Sequence, residues 1–514
     1  MGFIQTPPRL ENTWESDKLL QSELSALLPN SFRAEIFDHL RECGDKAVGD
    51  WLEWSRQAEN NKPYLIQYDP WGNRIDRIEM PEGWMKLEAE AARHGIVSCG
   101  YERKYAEFSR VYQAALLYLF HPSSAFVSCP LAMTDGAARA LELYGSEEQK
   151  KKVLSHLLSR DPKLFWTSGQ WMTERSGGSD VSGTETLAEP DGSMWRLTGV
   201  KWFTSATTSP VAMLLARTPQ AEPGSRGLSL FMTKLRDENG KLQNIQVLRL
   251  KNKLGTDALP TAELSLQGTP AQAVGELGHG VRKISALFNI TRIYNSVCAT
   301  AHARRALDWA KSYALVRKAF GQRLSEHPLH REVVDYLERE FAKCLRLTFF
   351  VSWLLGKDET GRGSDMERKL LRALTPVVKL FTARKRMEIT SEVVEIFAGA
   401  GYVEDTGIPR LLRDAQVFSI WEGTTNVLSL DLLRALSKEN AAQGLSEFFC
   451  NGSQALGDSN LKARLAQVVK IVESAQDPSV RDRLEAQARV LSFNVAEITA
   501  EILRTKGLCD ATRG

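Results

Sequence analysis

The chain has 514 residues, 43% hydrophobic and 25% charged, an ordinary globular balance on a length that predicts two to four domains. Its formal net charge of +3 lacks the basic excess of a dedicated nucleic-acid binder. No apolar run approaches the ~18 residues that cross a membrane; Leu347–Leu355 comes nearest and reads as a buried helix.

Seven scattered cysteines (Cys43, Cys99, Cys129, Cys298, Cys344, Cys450 and Cys509) contain no C-x-x-C pair. They argue against a disulfide scaffold or a zinc site and for a reducing compartment, expected to be the cytoplasm. Glu11, Glu15 and Asp17 near the N-terminus fit neither a signal peptide nor an Arg-rich transit peptide. Met1-Gly2 with Thr6 matches the bare myristoylation pattern, which is too short to carry an assignment.

Taken in chain order, helical texture comes first. Leu19, Leu20, Leu24, Leu27 and Leu28 recur at helical spacing. The segment Pro63–Pro81, with Tyr68-Asp69-Pro70-Trp71-Gly72, reads as a loop. Helices are predicted again over Trp84–Arg93 and Tyr105–Phe120, and another starts at Ser146-Glu147-Glu148-Gln149, with acids in its first turn. From Trp166 the texture turns to strands: Trp195–Thr198, Val211–Thr218, Leu228–Leu235, Ile245–Leu250 and Thr261–Leu266, with turns at Pro190-Asp191-Gly192 and Glu238-Asn239-Gly240. Strands without intervening helices predict an antiparallel sheet or barrel. Helices return after Gly280, where Leu370, Leu371, Leu374, Val377, Val378 and Phe381 make an apolar stripe. The expected domains are therefore 1–165 helical, 166–280 β, 281–434 helical and 435–514 a helical extension.

Five motifs carry chemistry. Met172-Thr173-Glu174-Arg175-Ser176-Gly177-Gly178-Ser179-Asp180 offers glycines for close approach, with hydroxyls and N–H groups around them. Lys201-Trp202-Phe203-Thr204-Ser205 sets aromatics beside hydroxyls, which suits a flat ring system. Arg317-Lys318-Ala319-Phe320-Gly321-Gln322-Arg323 offers a guanidinium fork for phosphate at a helix end. Ile396-Phe397-Ala398-Gly399-Ala400-Gly401-Tyr402 places small residues at another helix end. Ser419-Ile420-Trp421-Glu422-Gly423-Thr424-Thr425-Asn426 sets a carboxylate in an apolar turn before a helix at Val427–Leu436. Desolvation there would raise its pKa toward that of a useful base. Each motif taken alone also fits a bland structural role: a polar loop, a half-buried strand, a basic helix end, a glycine cap and a capping acid.

Together and in this order they resemble the acyl-CoA dehydrogenase superfamily over roughly residues 100–434. The marks are Thr-Glu-x-x-x-Gly-Ser-Asp, Lys-Trp-Phe-Thr, Arg-x-x-Phe-Gly and Trp-Glu-Gly-Thr, with Lys253-Leu254-Gly255 and Gly275-Glu276-x-Gly278-x-Gly280. The Tyr68–Arg74 segment, Ser-Ile-Trp-Glu-Gly, Leu-Asp-Leu-Leu-Arg at 430–434 and the extension after Arg434 resemble the alkylation-response (AidB-like) branch.

The resemblance implies an α+β fold: an N-terminal helical domain, a central antiparallel β-barrel or sandwich, and a C-terminal four-helix bundle plus a helical extension. It implies an FAD cofactor near Met172, Thr173, Ser179, Trp202, Thr204 and Ser205. Arg317 and Phe320 would reach FAD, commonly that of a neighbouring subunit, with backbone contacts from Glu395 to Gly399. Trp421, Thr424 and Asn426 complete the cofactor set. Ser179, Arg292 and Gly423 would touch the acyl-CoA, and Glu422 would take the α-proton as hydride passes from the β-carbon to the flavin. No metal is implied. A homotetramer and an electron-acceptor flavoprotein are the implied partners beside fatty acyl-CoA.

Departures from the common dehydrogenase spelling are Arg175, Ser176, Ser205-Ala206 and Asn289. They keep open a second function, binding or sequestering acyl-CoA with little turnover. A third, DNA protection, would need a basic extension, but over 435–514 ten basic residues are cancelled by ten acidic ones.

Overall fold

The computed structural model describes residues 5–454, 456–475, 477–508 and 510; the Met1-Gly2 pattern, Cys509 and Arg513 lie outside them. By its internal contacts the chain divides into two units. One comprises Trp51–Tyr101 and Ser123–Thr291, the other Met1–Asp50, Glu102–Pro122 and Arg292–Gly514.

In the first unit the segment read as a loop is a hairpin. Strands β1 (Tyr64–Tyr68) and β2 (Arg74–Glu79) pair antiparallel. Asp69 Oδ1 accepts from the backbone N–H groups of Trp71 and Asn73, at 2.8 and 2.9 Å, and so shapes the turn. Asp76 Oδ2 accepts from Val247 N at 2.9 Å and docks the hairpin on the sheet. The alternation of Arg74-Ile75-Asp76-Arg77-Ile78, which buries Asp76 and Ile78, outweighs the turn-rich composition of the tip.

The sheet has seven strands: β3 (Ser168–Trp171), β4 (Leu187–Asp191), β5 (Met194–Ser205), β6 (Val211–Arg217), β7 (Leu228–Lys234), β8 (Ile245–Leu250) and β9 (Thr261–Ala273). Pairings β6–β4, β4–β5, β5–β9, β9–β7 and β7–β6 close a barrel, with β3 added to β6 and β8 to β9. Antiparallel ladders dominate, as the texture predicts, but β3–β6 and the single β4–β6 pair Leu187↔Arg217 are parallel.

Strand β6 shows why the barrel holds. Ala212, Leu214 and Ala216 fill its interior with Trp171, Phe231 and Leu264. Val211, Met213 and Leu215 point the other way, onto Ala137, Ala138 and Leu141 of helix α1 (Ser128–Tyr144). Both faces are buried, so the strand is one continuous apolar run. The helix start read at Ser146 is a capping box: Ser146 Oγ accepts from Gln149 N, and Gln149 Oε1 from Ser146 N.

Helix α2 (Gly280–Val316) begins in this unit and continues into the helical one. There it is followed by α3 (Pro328–Glu359), α4 (Asp365–Ile396), α5 (Ile408–Val417) and α6 (Thr425–Lys438). The extension forms α7 (Ala441–Ser453), α8 (Ser459–Ser474) and α9 (Arg481–Lys506). Helix α4 is central: α3, α5, α6, α7 and α9 all pack on it. Its predicted stripe is buried at Leu370, Leu374, Val377, Val378 and Phe381. Leu347–Leu355 is a buried stretch of α3, and among the described residues no helix is long and apolar enough to cross a membrane. Gly444 lets α7 lie against α4, since a Cβ there would stand 2.7 Å from the Leu370 nitrogen and the Met366 carbonyl. The extension is thus part of the bundle's own packing, with Leu445, Phe449, Val495 and Ile498 buried. Cys43, Cys99, Cys129, Cys298, Cys344 and Cys450 are free thiols.

Candidate functional site

Glu422 lies in the turn between α5 and α6. Helix α5 runs out at Val417, whose carbonyl accepts from Ile420 N and Trp421 N. Glu422 then adopts φ +56° and Gly423 φ +105°. A left-handed conformation at a non-glycine residue costs of order 1–3 kcal/mol and persists only where the surroundings enforce it. Thr424, not Glu422, caps the next helix: Val427 N donates to its Oγ1 at 3.4 Å. The capping role open to Glu422 in the sequence is therefore taken by its neighbour.

Two cations, a fully buried lysine and a part-buried arginine, enforce the turn. Lys379, on α4 and fully buried, donates from Nζ to the carbonyls of Trp421 at 2.7 Å and Gly423 at 2.6 Å. Arg292 donates from Nε to the Glu422 carbonyl at 3.4 Å and from Nη1 to Asp431 at 2.7 Å. Three successive carbonyls are thereby each met by a cation. Asp431 is shared with Arg372 at 2.7 Å. Burial works to raise the Asp431 carboxyl, but the charges of Arg292 and Arg372 prevail and hold it below the usual range. Burial pulls Lys379 down to about 7, with Glu422's charge opposing the shift and Arg292's adding to it.

Arg317 and Phe320 follow the end of α2, and Glu395 and Gly399 stand at the end of α4. Tyr313, one turn before Arg317, stacks on Phe397 at 4.3 Å and joins the two ends. Strands β10 (Lys318–Ala319) and β11 (Gln322–Arg323) make a small hairpin with Phe320 at its tip, at φ +50° and 99% exposed. Arg317 Nη1 donates to Gln5 Oε1 at 3.2 Å. Glu395 and Gly399 are exposed, as is Asn426, whose Oδ1 accepts from Arg489 at 3.1 Å.

The β unit holds the remaining residues. Trp202 N donates to Thr173 O at 2.9 Å, so the first two motifs are adjoining strands of backbone. Glu174 and Lys201 clamp them from inside, Nζ to Oε1 at 2.6 Å, with both side chains buried. The Glu174 carboxylate also accepts from Thr186 Oγ1 at 2.5 Å and Glu185 N at 2.6 Å. Burial pushes it up, yet Lys201 and these hydrogen bonds outweigh that and hold it below the usual carboxylate range. The Trp202 ring carries Lys251 at 3.9 Å and Arg175 at 4.9 Å. Thr204 is buried and donates to Ala262 O, while Ser205 hydrogen-bonds Thr261. Met172 packs in the core between barrel and α1, and Ser179 is exposed.

Three family models match in chain order: the adaptive response protein AidB N-terminal domain over residues 5–161, the acyl-CoA dehydrogenase middle domain over 169–269 and the acyl-CoA dehydrogenase C-terminal domain over 278–437. Acyl-CoA dehydrogenase family member 11 of Caenorhabditis elegans is 44% identical, over 97% of this chain and 84% of that protein. The chain belongs to the acyl-CoA dehydrogenase family. Among solved structures, the Bd2924 apo-form superimposes with TM-score 0.94 and 54% identity, over 98% of this chain and 99% of that one. Caenorhabditis elegans ACDH-11 in complex with C11-CoA gives TM-score 0.94 and 41% identity, over 100% and 90% of the two chains.

Within this family member, reading the sequence alone missed Lys379, and it named Glu174, Lys201 and Asp431 only as members of motifs, without their partners. The available signal was a charge inside an apolar run: Val377-Val378-Lys379-Leu380-Phe381. A buried lysine needs a partner, and carbonyls of a distant turn supply it.

Proposed function

We propose that this chain is an FAD-dependent acyl-CoA dehydrogenase that oxidises the α,β-bond of a fatty acyl-CoA, with Glu422 as the base for the α-proton. The carrying observation is the Glu422 turn, a carboxylate on a left-handed residue whose neighbouring carbonyls are all engaged by cations. Such enforced strain belongs where a side chain must be aimed. Glu422 takes the α-proton, and its backbone N–H supports the negative charge growing on the thioester oxygen. When bound, a flavin would supply the acceptor for the hydride lost from the β-carbon.

The residues present fit such a cofactor. Arg317 offers a fork to a pyrophosphate, and Phe320 is an aromatic ring held wholly in solvent on a strained tip, which an isolated chain gains nothing by exposing. Met172, Thr173, Ser179, Trp202, Thr204 and Ser205, with Glu395, Gly399, Trp421, Thr424 and Asn426, complete the set assigned to it. Ser179, Arg292 and Gly423 are assigned to the thioester ligand. The C11-CoA seen with the worm relative supports a long acyl chain as ligand. A homotetramer in solution and an electron-accepting flavoprotein that reoxidises the cofactor belong to the same reading.

The test is anaerobic mixing of the flavin-loaded protein with acyl-CoAs of increasing length, C11-CoA among them. Bleaching of the flavin band supports the reading. Glu422→Gln is expected to keep flavin and ligand and to abolish bleaching; normal bleaching in that variant would put the base elsewhere.

One observation favours a second reading, binding without turnover: Lys251 and Arg175 both lie on the Trp202 ring, the ring assigned to the flavin. Tight acyl-CoA binding with no bleaching at any chain length would select it.

A further inference from the structure

Lys379 has no exposed surface, and its ammonium sits against the carbonyls of Trp421 and Gly423, which bracket Glu422 in the chain. A neutral side chain of similar size would fill this space without the desolvation that a buried charge suffers. Geometry shows what the charge does. The Trp421 carbonyl and the Glu422 N–H are the two ends of one amide group. A cation on the oxygen draws electron density from the nitrogen and makes that N–H a stronger donor. Arg292 stands in the same relation to the next amide, through the Glu422 carbonyl, at the longer distance of 3.4 Å.

We infer that Lys379 is a positioning residue of the reaction: it fixes the left-handed Glu422 turn and polarises the Trp421–Glu422 amide, so that the Glu422 N–H better stabilises the thioester oxygen as the α-proton leaves. This rests on the acyl-CoA dehydrogenase reading. In the step concerned, the α-C–H bond breaks, its proton passes to the Glu422 carboxylate, and the electron pair moves onto the carbonyl oxygen. In its protonated form Lys379 gains and loses no proton in this step; it acts through the amide.

The experiment uses the flavin-loaded protein, C11-CoA and a 3-thia-acyl-CoA of the same length. The sulfur analogue can lose its α-proton but cannot pass on a hydride, and its enolate gives a long-wavelength charge-transfer band with oxidised flavin. Lys379→Gln keeps two N–H donors for the carbonyls and removes the charge; Lys379→Met removes both. Expected for Lys379→Gln is unchanged flavin content and analogue affinity, with the enolate fraction and the C11-CoA bleaching rate each reduced about 10- to 100-fold, less than the loss of an oxyanion donor outright. Lys379→Met is expected to lose more. Wild-type band and rate in Lys379→Gln would overturn the inference while leaving the dehydrogenase reading intact. A wild type with neither band nor bleaching would overturn that reading and the inference together. Loss of flavin by Lys379→Met leaves the test with the glutamine variant; loss by both would make Lys379 a stability element and overturn the inference.

Discussion

Lys201 Nζ lies 2.6 Å from Glu174 Oε1 inside the β unit, with the two side chains 0% and 4% exposed. One residue belongs to the Thr-Glu motif and the other to the Lys-Trp motif. The pair therefore acts behind the two segments assigned to the flavin, and the Trp202 N–H to Thr173 O hydrogen bond is its backbone counterpart. Thr186 and the Glu185 N–H satisfy the carboxylate's remaining capacity, so the charge is buried with a full set of donors.

Lys201→Met leaves that carboxylate buried without its cation. The expected loss is about 3–5 kcal/mol of stability, typical of breaking a buried pair from one side. Urea unfolding with Glu174→Gln/Lys201→Met as the control checks it: the double variant should recover a large part of the loss, because no charge is left behind. A double variant as unstable as the single one would mean that packing, not charge, holds the strands.

Gly423 is needed for two independent reasons. Its φ of +105° is one that side chains rarely adopt, and a Cβ there would meet Leu428 Cδ2 at 2.9 Å. Gly423→Ala should cost about 1–3 kcal/mol and shift the turn away from Lys379. Bleaching by C11-CoA should slow more than the binding of C11-CoA weakens, since the displaced group is the base. Equal rate and stability would show that the turn relaxes freely.

The broad order of elements and the turn that carries Glu422 were legible in the sequence, because hydrophobic period and Gly-rich punctuation are local signals. Helix α6 begins at Thr425, two residues before the run that marked it. Pairing was not legible. The Lys379 contacts to Trp421 and Gly423 join residues more than forty positions apart, and Arg292 reaches Asp431 across 139. In the sequence Asp431 and both cations look like ordinary polar positions; only their proximity in the fold turns them into a network. The hairpin at Tyr64–Glu79 was hidden for the opposite reason. Its loop-like tip dominated the composition, while short strands gave the alternation only a few residues in which to show.

Two buried histidines beside Arg386, near α5, are expected to make stability fall in acid. His121 and His302 stand 6.1 Å apart, ring to ring, and His121 and Arg386 both pack against the Phe418 ring. Burial first, then the charges of Arg386 and Arg305, pushes both imidazoles well below their ordinary range; His302 also feels His121 and Arg410. Both are neutral in the folded protein at pH 7. In the unfolded chain each titrates near ~6.5, so below that pH the unfolded state binds more protons and stability falls as pH falls. The slope is at most about 1.4 kcal/mol per pH unit for each histidine. Thermal melts between pH 7.5 and pH 5, bounds chosen to lie about one unit or more either side of the free imidazole value, should show a falling midpoint. His302→Asn should flatten that fall, since asparagine has no proton to gain. A midpoint level across the window would show that the histidines take up no proton on unfolding there, and a fall equally steep in the variant would place the acid sensitivity in the carboxylates instead.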